Sequence, residues 1–125
     1  MRFTIPVAPV TKKNSQRIIY AGGRPRIIPS AKYKQYEKDA GAFIPFVYEP
    51  IKTPVNVSAV FYMPTRRRVD LVNLQEALLD VLTLYGVIED DNAQIVASMD
   101  GSRVEYDKAN PRTEVTIEEL QDAKR

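Results

Sequence analysis

The stretch "RRRVDLVNLQEALLDVL", Arg66 to Leu82, sets three arginines directly before an aspartate and then runs into a leucine-rich pattern. Leu71, Leu74, Leu78, Val81 and Leu82 recur at the three- and four-residue spacing that lines one face of an α-helix. The spacing predicts a helix from about Asp70 to Tyr85, with Gly86 as the residue just past its end. Asp70 at the helix mouth has two readings. Aspartate is a favoured N-cap, and the helix dipole favours a negative charge there. Three arginines beside a carboxylate also suit a site that grips a phosphodiester, because forked guanidinium donors match phosphate oxygens.

On the N-terminal side, "PVNVSAVFYMP" places Val55, Val57, Ala59 and Phe61 alternately with Asn56, Ser58 and Val60, a strand with one buried face. "RFTIPVAPV" reads as a first strand ending at Pro6 or Pro9. "RIIY", an Ala-Gly-Gly turn and "RPRIIP" form an expected hairpin. Ser30 is the expected N-cap of a helix through "AKYKQYEKDAGAF", with Tyr33, Tyr36 and Ala40 facing the core. Phe43 and Phe46 are expected in the core as well. On the C-terminal side, "VIEDDNAQ" is an acidic loop and "IVASMDGSRVEY" a strand interrupted at Asp100-Gly101. "PRTEVTIEEL" is a last strand. The expected fold is α+β: a mixed β-sheet with two helices packed on one face, in a single domain over residues 1–125.

Composition narrows the chemistry. The 125 residues contain no histidine and no cysteine. That removes Ser-His-Asp catalysis, thiolate nucleophiles, disulfides and the usual zinc sites. A bound metal must be held by oxygen, which favours magnesium or manganese. No apolar run is long enough for a membrane span and no secretory pattern is visible, so the expected location is cytoplasmic, without membrane association. The net charge of +2 conceals a division. Met1 to Val69 carries 13 Lys and Arg against 3 Asp and Glu; Asp70 to Arg125 carries 5 against 13. A basic half suits a polyanionic partner, whereas two opposite halves that fold together can also neutralise each other.

Asp70 and the Glu89, Asp90 and Asp91 loop flank the helix at its two ends. A helix of about 15 residues is about 22 Å long, so these groups would be distant if only the helix separated them. The following strand could carry Asp100 back toward Asp70. Asp70, Asn73, Ala77 and Asp80 share a spacing expected to place them away from Leu71, Leu74 and Leu78, with Asn73 facing the same polar cleft as Asp70. Asp80 is read as structural.

"RRRVDLVNLQEALLDVL" followed by "GVIEDDNAQIV" resembles the RusA family of Holliday junction resolvases, whose signature is an arginine-rich loop, Asp-x-Asp-Asn-Leu, an amphipathic helix, then Asp-Asp and a strand. "PVAPVTKKNSQRI" is similar to that family's opening strand and Asn-containing loop. The resemblance implies a small metal-dependent endonuclease, homodimeric, cutting four-way DNA junctions symmetrically. Its catalytic acids map onto Asp70 and Asp91, with Asp90 beside the latter. Two positions depart: Val72 stands where the family has its second aspartate, and Glu76 where it has a functional lysine. The aromatic wedge that can precede the first aspartate is replaced by Val69.

The resulting expectation is phosphodiester hydrolysis with Mg2+, or Mn2+, held by Asp70 and Asp91. Asn73, Glu76, Asp90 or Asp100 would supply the oxygen donor that Val72 cannot. Arg66, Arg67, Arg68, Lys12, Lys13, Arg17, Arg24 and Arg26 are the expected DNA-binding cations. Two equivalent cuts on a pseudo-twofold substrate suit a C2 homodimer. The alternatives are a non-catalytic junction- or DNA-binding module, a nuclease for flaps or RNA, and an adaptor whose charges pair internally.

Overall fold

The computed structural model describes residues 1–12 and 16–120, the side chains of Gln16, Arg17 and Pro29 left aside. The strand predicted from "PVNVSAVFYMP" is the centre of the molecule. This strand, β4 (Val55–Met63), pairs antiparallel with β7 (Arg112–Glu119), which pairs antiparallel with β1 (Arg2–Ile5). On its other edge β4 pairs parallel with β5 (Val96–Ser98) and, further along, with β6 (Arg103–Tyr106). The predicted alternation holds: Val55, Val57, Ala59 and Phe61 are buried, as are Thr113, Val115 and Ile117 across the β7 register. The opposite face carries Arg2, Thr4, Ser58, Glu114 and Thr116 and is open. A sheet buried on one face needs only one covering layer.

That layer is two helices. In α1 (Ala31–Gly41) the Ser30 hydroxyl oxygen accepts the Tyr33 N–H at 3.2 Å, the predicted cap. Tyr33, Tyr36 and Ala40 point into the core. The helix stops at Gly41, short of the predicted Phe43. This overturns the expected burial of Phe43 and Phe46, which are 46% and 89% exposed. The chain turns out of the helix before them, and Ile44 and Val47 pack on the core instead. The second helix, α2 (Leu71–Leu84), follows β4 and leads to β5, so β4, α2 and the β5–β6 edge form a parallel crossover unit. Gly86, at φ 75°, follows its end as expected, and the Tyr85 hydroxyl donates to the Glu37 carbonyl at 2.9 Å, tying α2 to α1.

The interruption predicted at Asp100-Gly101 separates β5 from β6. Gly101 has φ 89°, and a Cβ there would lie 2.8 Å from Ser58 Oγ. Both conformation and close approach call for glycine. Asn56 holds the break: its Oδ1 accepts the Asp100 N–H at 2.8 Å and its Nδ2 donates to the Asp100 carbonyl at 3.1 Å. The predicted hairpin, β2 (Gln16–Ala21) with β3 (Arg24–Pro29), forms a separate two-stranded sheet around Gly22 and Gly23.

Candidate functional site

The crossover unit places the two charged regions at opposite ends of α2. At its mouth Asp70 is the N-cap in extended conformation, but its side chain makes no capping hydrogen bond. The Asn73 and Leu74 N–H groups donate to the Asp70 backbone carbonyl instead. One carboxylate oxygen receives only a long bond from Asn73 Nδ2, at 3.4 Å. The carboxylate is therefore largely uncommitted, which a purely structural cap would not be.

Arg66, Arg67 and Arg68 precede it, all exposed, and among the described residues none of the three forms an ion pair. They line a cleft of about 460 Å³ with Met63, Val69, Val104 and Tyr106. The Arg66 guanidinium lies 4.3 Å from the centre of the Tyr106 ring, a cation–π contact that shapes the cleft wall. The N-terminal segment from Ala8 to Thr11 runs past Arg67, Arg68 and Leu74, and Lys12 just beyond it reaches α2.

The face that α2 shows to solvent differs from the predicted one. Asn73 and Ala77 are buried, because sheet, α1 and the N-terminal segment cover more of the helix than one stripe. The open ridge is Val72 and Glu76, both exposed, followed by the half-exposed Asp80, at i, i+4 and i+8. Val72 is 61% exposed. The two positions that depart from the resolvase pattern thus sit side by side on the open ridge. Asn73, expected in the polar cleft, instead reaches Asp70 from a nearly buried position.

At the far end, Ile51 fixes the acidic loop: its N–H donates to Val87 and its carbonyl accepts from Glu89. Within the loop the adjacent aspartates divide the work. Asp90 Oδ1 accepts the Asp91 N–H at 2.8 Å and Oδ2 accepts Asn92 Nδ2 at 3.0 Å, so both oxygens build the turn. Those bonds hold the Asp90 carboxyl below its ordinary range. Asp91 takes no such role. Partial desolvation, then the charges of Asp90 and, more weakly, Asp80, raise its carboxyl above the ordinary range.

Asp80, read from sequence as structural, pairs with Lys12 Nζ at 3.3 Å and lends its charge to the surroundings of Asp91. No sequence signal joins Lys12 to Asp80, since 68 residues separate them. Glu76 is exposed on the ridge between the two ends. Asp100 is carried on the β5–β6 break and anchored by its backbone to Asn56. Arg24 and Arg26 are exposed on the hairpin. Lys13 and the Arg17 side chain lie outside the described residues.

The acidic residues offer only oxygen donors, and Asp70 and Asp91 stand at opposite ends of α2. Among the described residues no three acidic groups gather closely enough to form a cage. Magnesium is commonly held by one or two carboxylates with several waters, and like charges around Asp91 are the setting that a cation relieves.

Fold and site together describe a small α+β domain in which a free arginine loop opens one helix and a raised carboxyl stands near its far half. The comparison with protein families makes this specific. The model of the family "Endodeoxyribonuclease RusA" matches residues 6–118, and the chain belongs to that family. Membership implies an endodeoxyribonuclease of the Holliday junction type, acting on DNA. A comparison with curated proteins gave no match. No helix among the described residues is long and apolar enough to cross a membrane.

Proposed function

We propose that the protein is a magnesium-dependent endonuclease, with manganese as a substitute, that cleaves four-way DNA junctions as a homodimer in the cytoplasm. The observation that carries this reading is the largely uncommitted Asp70 carboxylate directly behind three arginines that form no ion pair among the described residues, within a chain matched to the RusA family over residues 6–118. The ion would be held by the Asp70 or the Asp91 carboxylate, which stand at opposite ends of α2, with water completing its shell. When bound, magnesium polarises the scissile phosphate and lowers the pKa of an attacking water. Arg66, Arg67 and Arg68 neutralise the backbone phosphates at the helix mouth; such contacts position DNA without reading its sequence. Asn73 orients the Asp70 carboxylate from its nearly buried position. Asp90 holds the turn that presents Asp91.

One observation favours a second reading. The exposed ridge of α2 presents Val72 and Glu76, an apolar and an acidic side chain, toward solvent where a phosphate-binding site would gain from neither. A module that binds junctions without cutting them suits that ridge.

The deciding experiment incubates the protein with a labelled four-way junction or a matching linear duplex, in magnesium, manganese or chelator. Paired symmetric cuts on the junction, lost with chelator, are expected. Tight junction binding without cuts would establish the second reading, and equal binding to both substrates would remove junction selectivity altogether.

A further inference from the structure

The Tyr33 hydroxyl is buried and has no hydrogen-bond partner among the described residues, an arrangement that costs stability unless something compensates. Its surroundings are specific. Lys12 Nζ lies 5.8 Å from the centre of the Tyr33 ring and pairs with Asp80 at 3.3 Å. Asp80 is the acidic group whose charge acts most strongly on the Tyr33 hydroxyl, which burial first and that charge second push well above its usual range. Lys12 thus bridges the Asp80 carboxylate and the ring that carries the unpartnered hydroxyl.

The Lys12–Asp80 pair is half exposed, with side-chain exposures of 40% and 37%. Pairs of this kind are weak and exchange partners readily. A DNA phosphate offers Lys12 a stronger partner, but withdrawing the lysine would leave Asp80 unneutralised in the surroundings of Asp91. The Tyr33 hydroxyl, on the ring that Lys12 covers, is a buried donor without an acceptor among the described residues.

We propose that Lys12 is a transferable cation that leaves Asp80 for a DNA phosphate, and that Tyr33 is the positioning residue that takes its place as donor to Asp80. This rests on the DNA-binding reading above, though not on cleavage. The hydroxyl is then unpaired in the free protein and satisfied in the complex.

The test measures binding of a four-way junction made from oligonucleotides, with chelator present, across a salt series, together with thermal melts of each protein. Lys12→Ala is expected to reduce the slope of log affinity against log salt by about 1, one phosphate contact. Tyr33→Phe keeps the ring under Lys12 and removes only the hydroxyl. It is expected to weaken junction binding about tenfold while leaving the melting temperature unchanged or higher. A structural role for the hydroxyl would move both in the same direction.

In an Asp80→Asn background no charge needs the replacement donor, so Tyr33→Phe should then have little effect on binding. An unchanged salt slope in Lys12→Ala overturns the transfer. Unchanged binding in Tyr33→Phe, or weaker binding matched by a lower melting temperature, overturns the role of Tyr33. A parent protein that binds no junction overturns both this inference and the reading beneath it, whereas a parent that binds but does not cut leaves the inference fully testable.

Discussion

The two ends of α2 carry opposite charge and commit it differently. At the mouth, Arg66, Arg67 and Arg68 are exposed without ion pairs among the described residues, and Asp70 is spared from capping. At the far end nearly every charge is engaged: Asp80 with Lys12, Asp90 with its own turn, and Asp91 against both carboxylates. On β6 and β7, by contrast, Arg103 and Arg112 are tied down. Arg112 donates to Asp107 and Glu114, each at 2.8 Å, and lies 3.8 Å from the centre of the Tyr62 ring. Free guanidinium groups at one place and saturated ones at another mark the first as an interface and the second as framework.

Both ends hang on one packed helix, so removing its core should abolish the distinction. Leu78 is fully buried between the helices and the sheet. Leu78→Ala is expected to cost about 2–5 kcal/mol, read by denaturant unfolding, with junction binding and cleavage lost together. Retained function in a strongly destabilised protein would show that the ends are organised independently of the helix.

The next effect separates the ends chemically. Asp70→Asn keeps a good capping residue and removes one charge, so the melting temperature should stay within a degree or so while cleavage falls by about 100-fold. Asp91→Asn should lose cleavage by a similar factor yet melt slightly higher, because it relieves repulsion from Asp90 and Asp80. Activity and stability then move in opposite directions at Asp91, whereas at Asp70 only activity moves. If Asp91→Asn cuts like the parent, the far end has no part in the chemistry.

The arginines sharpen the comparison on binding alone. Replacing Arg67 and Arg68 by Gln is expected to lower the salt slope of junction binding by about 2, whereas replacing Arg103, which is bound to Glu105 at 2.8 Å, should leave it unchanged. Equal slopes for both variants would show that free and committed arginines serve DNA alike.

Much of this architecture was legible from local pattern. The alternation through Val55 to Phe61, the Ser30 cap, the Gly22-Gly23 turn and the Asp100-Gly101 break are all written in neighbouring residues, and each appears where it was expected. The RusA signature was equally local, carried by about thirty residues around Asp70 and Asp91. What escaped depends on long-range packing. The open ridge of Val72, Glu76 and Asp80 is what remains after sheet, α1 and N-terminal segment have covered α2, and periodicity alone cannot count those coverings. Phe43 and Phe46 looked like core because they are large and apolar; the turn after Gly41 sends them outward. Lys12 meets Asp80 only because the N-terminal segment crosses the helix. The division between Asp90 and Asp91 follows from a turn that two identical letters do not reveal.

That division gives the smallest and most selective effect, one of sign. Asp91 has a raised carboxyl, so around its titration the folded state binds more protons than the unfolded chain, and its contribution to stability falls as pH rises. Asp90 and Asp107 are lowered, the first mainly by the Asp91 N–H and the second by Arg112. Their contributions are present above the ordinary carboxylate range and lost as pH falls through it. The parent should therefore lose stability on acidification through Asp90 and Asp107, with Asp91 partly opposing them. Asp91→Asn deletes the opposing group alone. Melts from about pH 3 to about pH 7, spanning the carboxylate range, should show the variant and parent coinciding at the acid end, where Asp91 is already neutral. The variant should gain progressively as pH rises and hold a constant lead near neutrality. A gap that opens instead toward acid pH would mean that Asp91 is stabilised as an anion in the free protein, and the raised carboxyl would have to be sought at another residue of the loop.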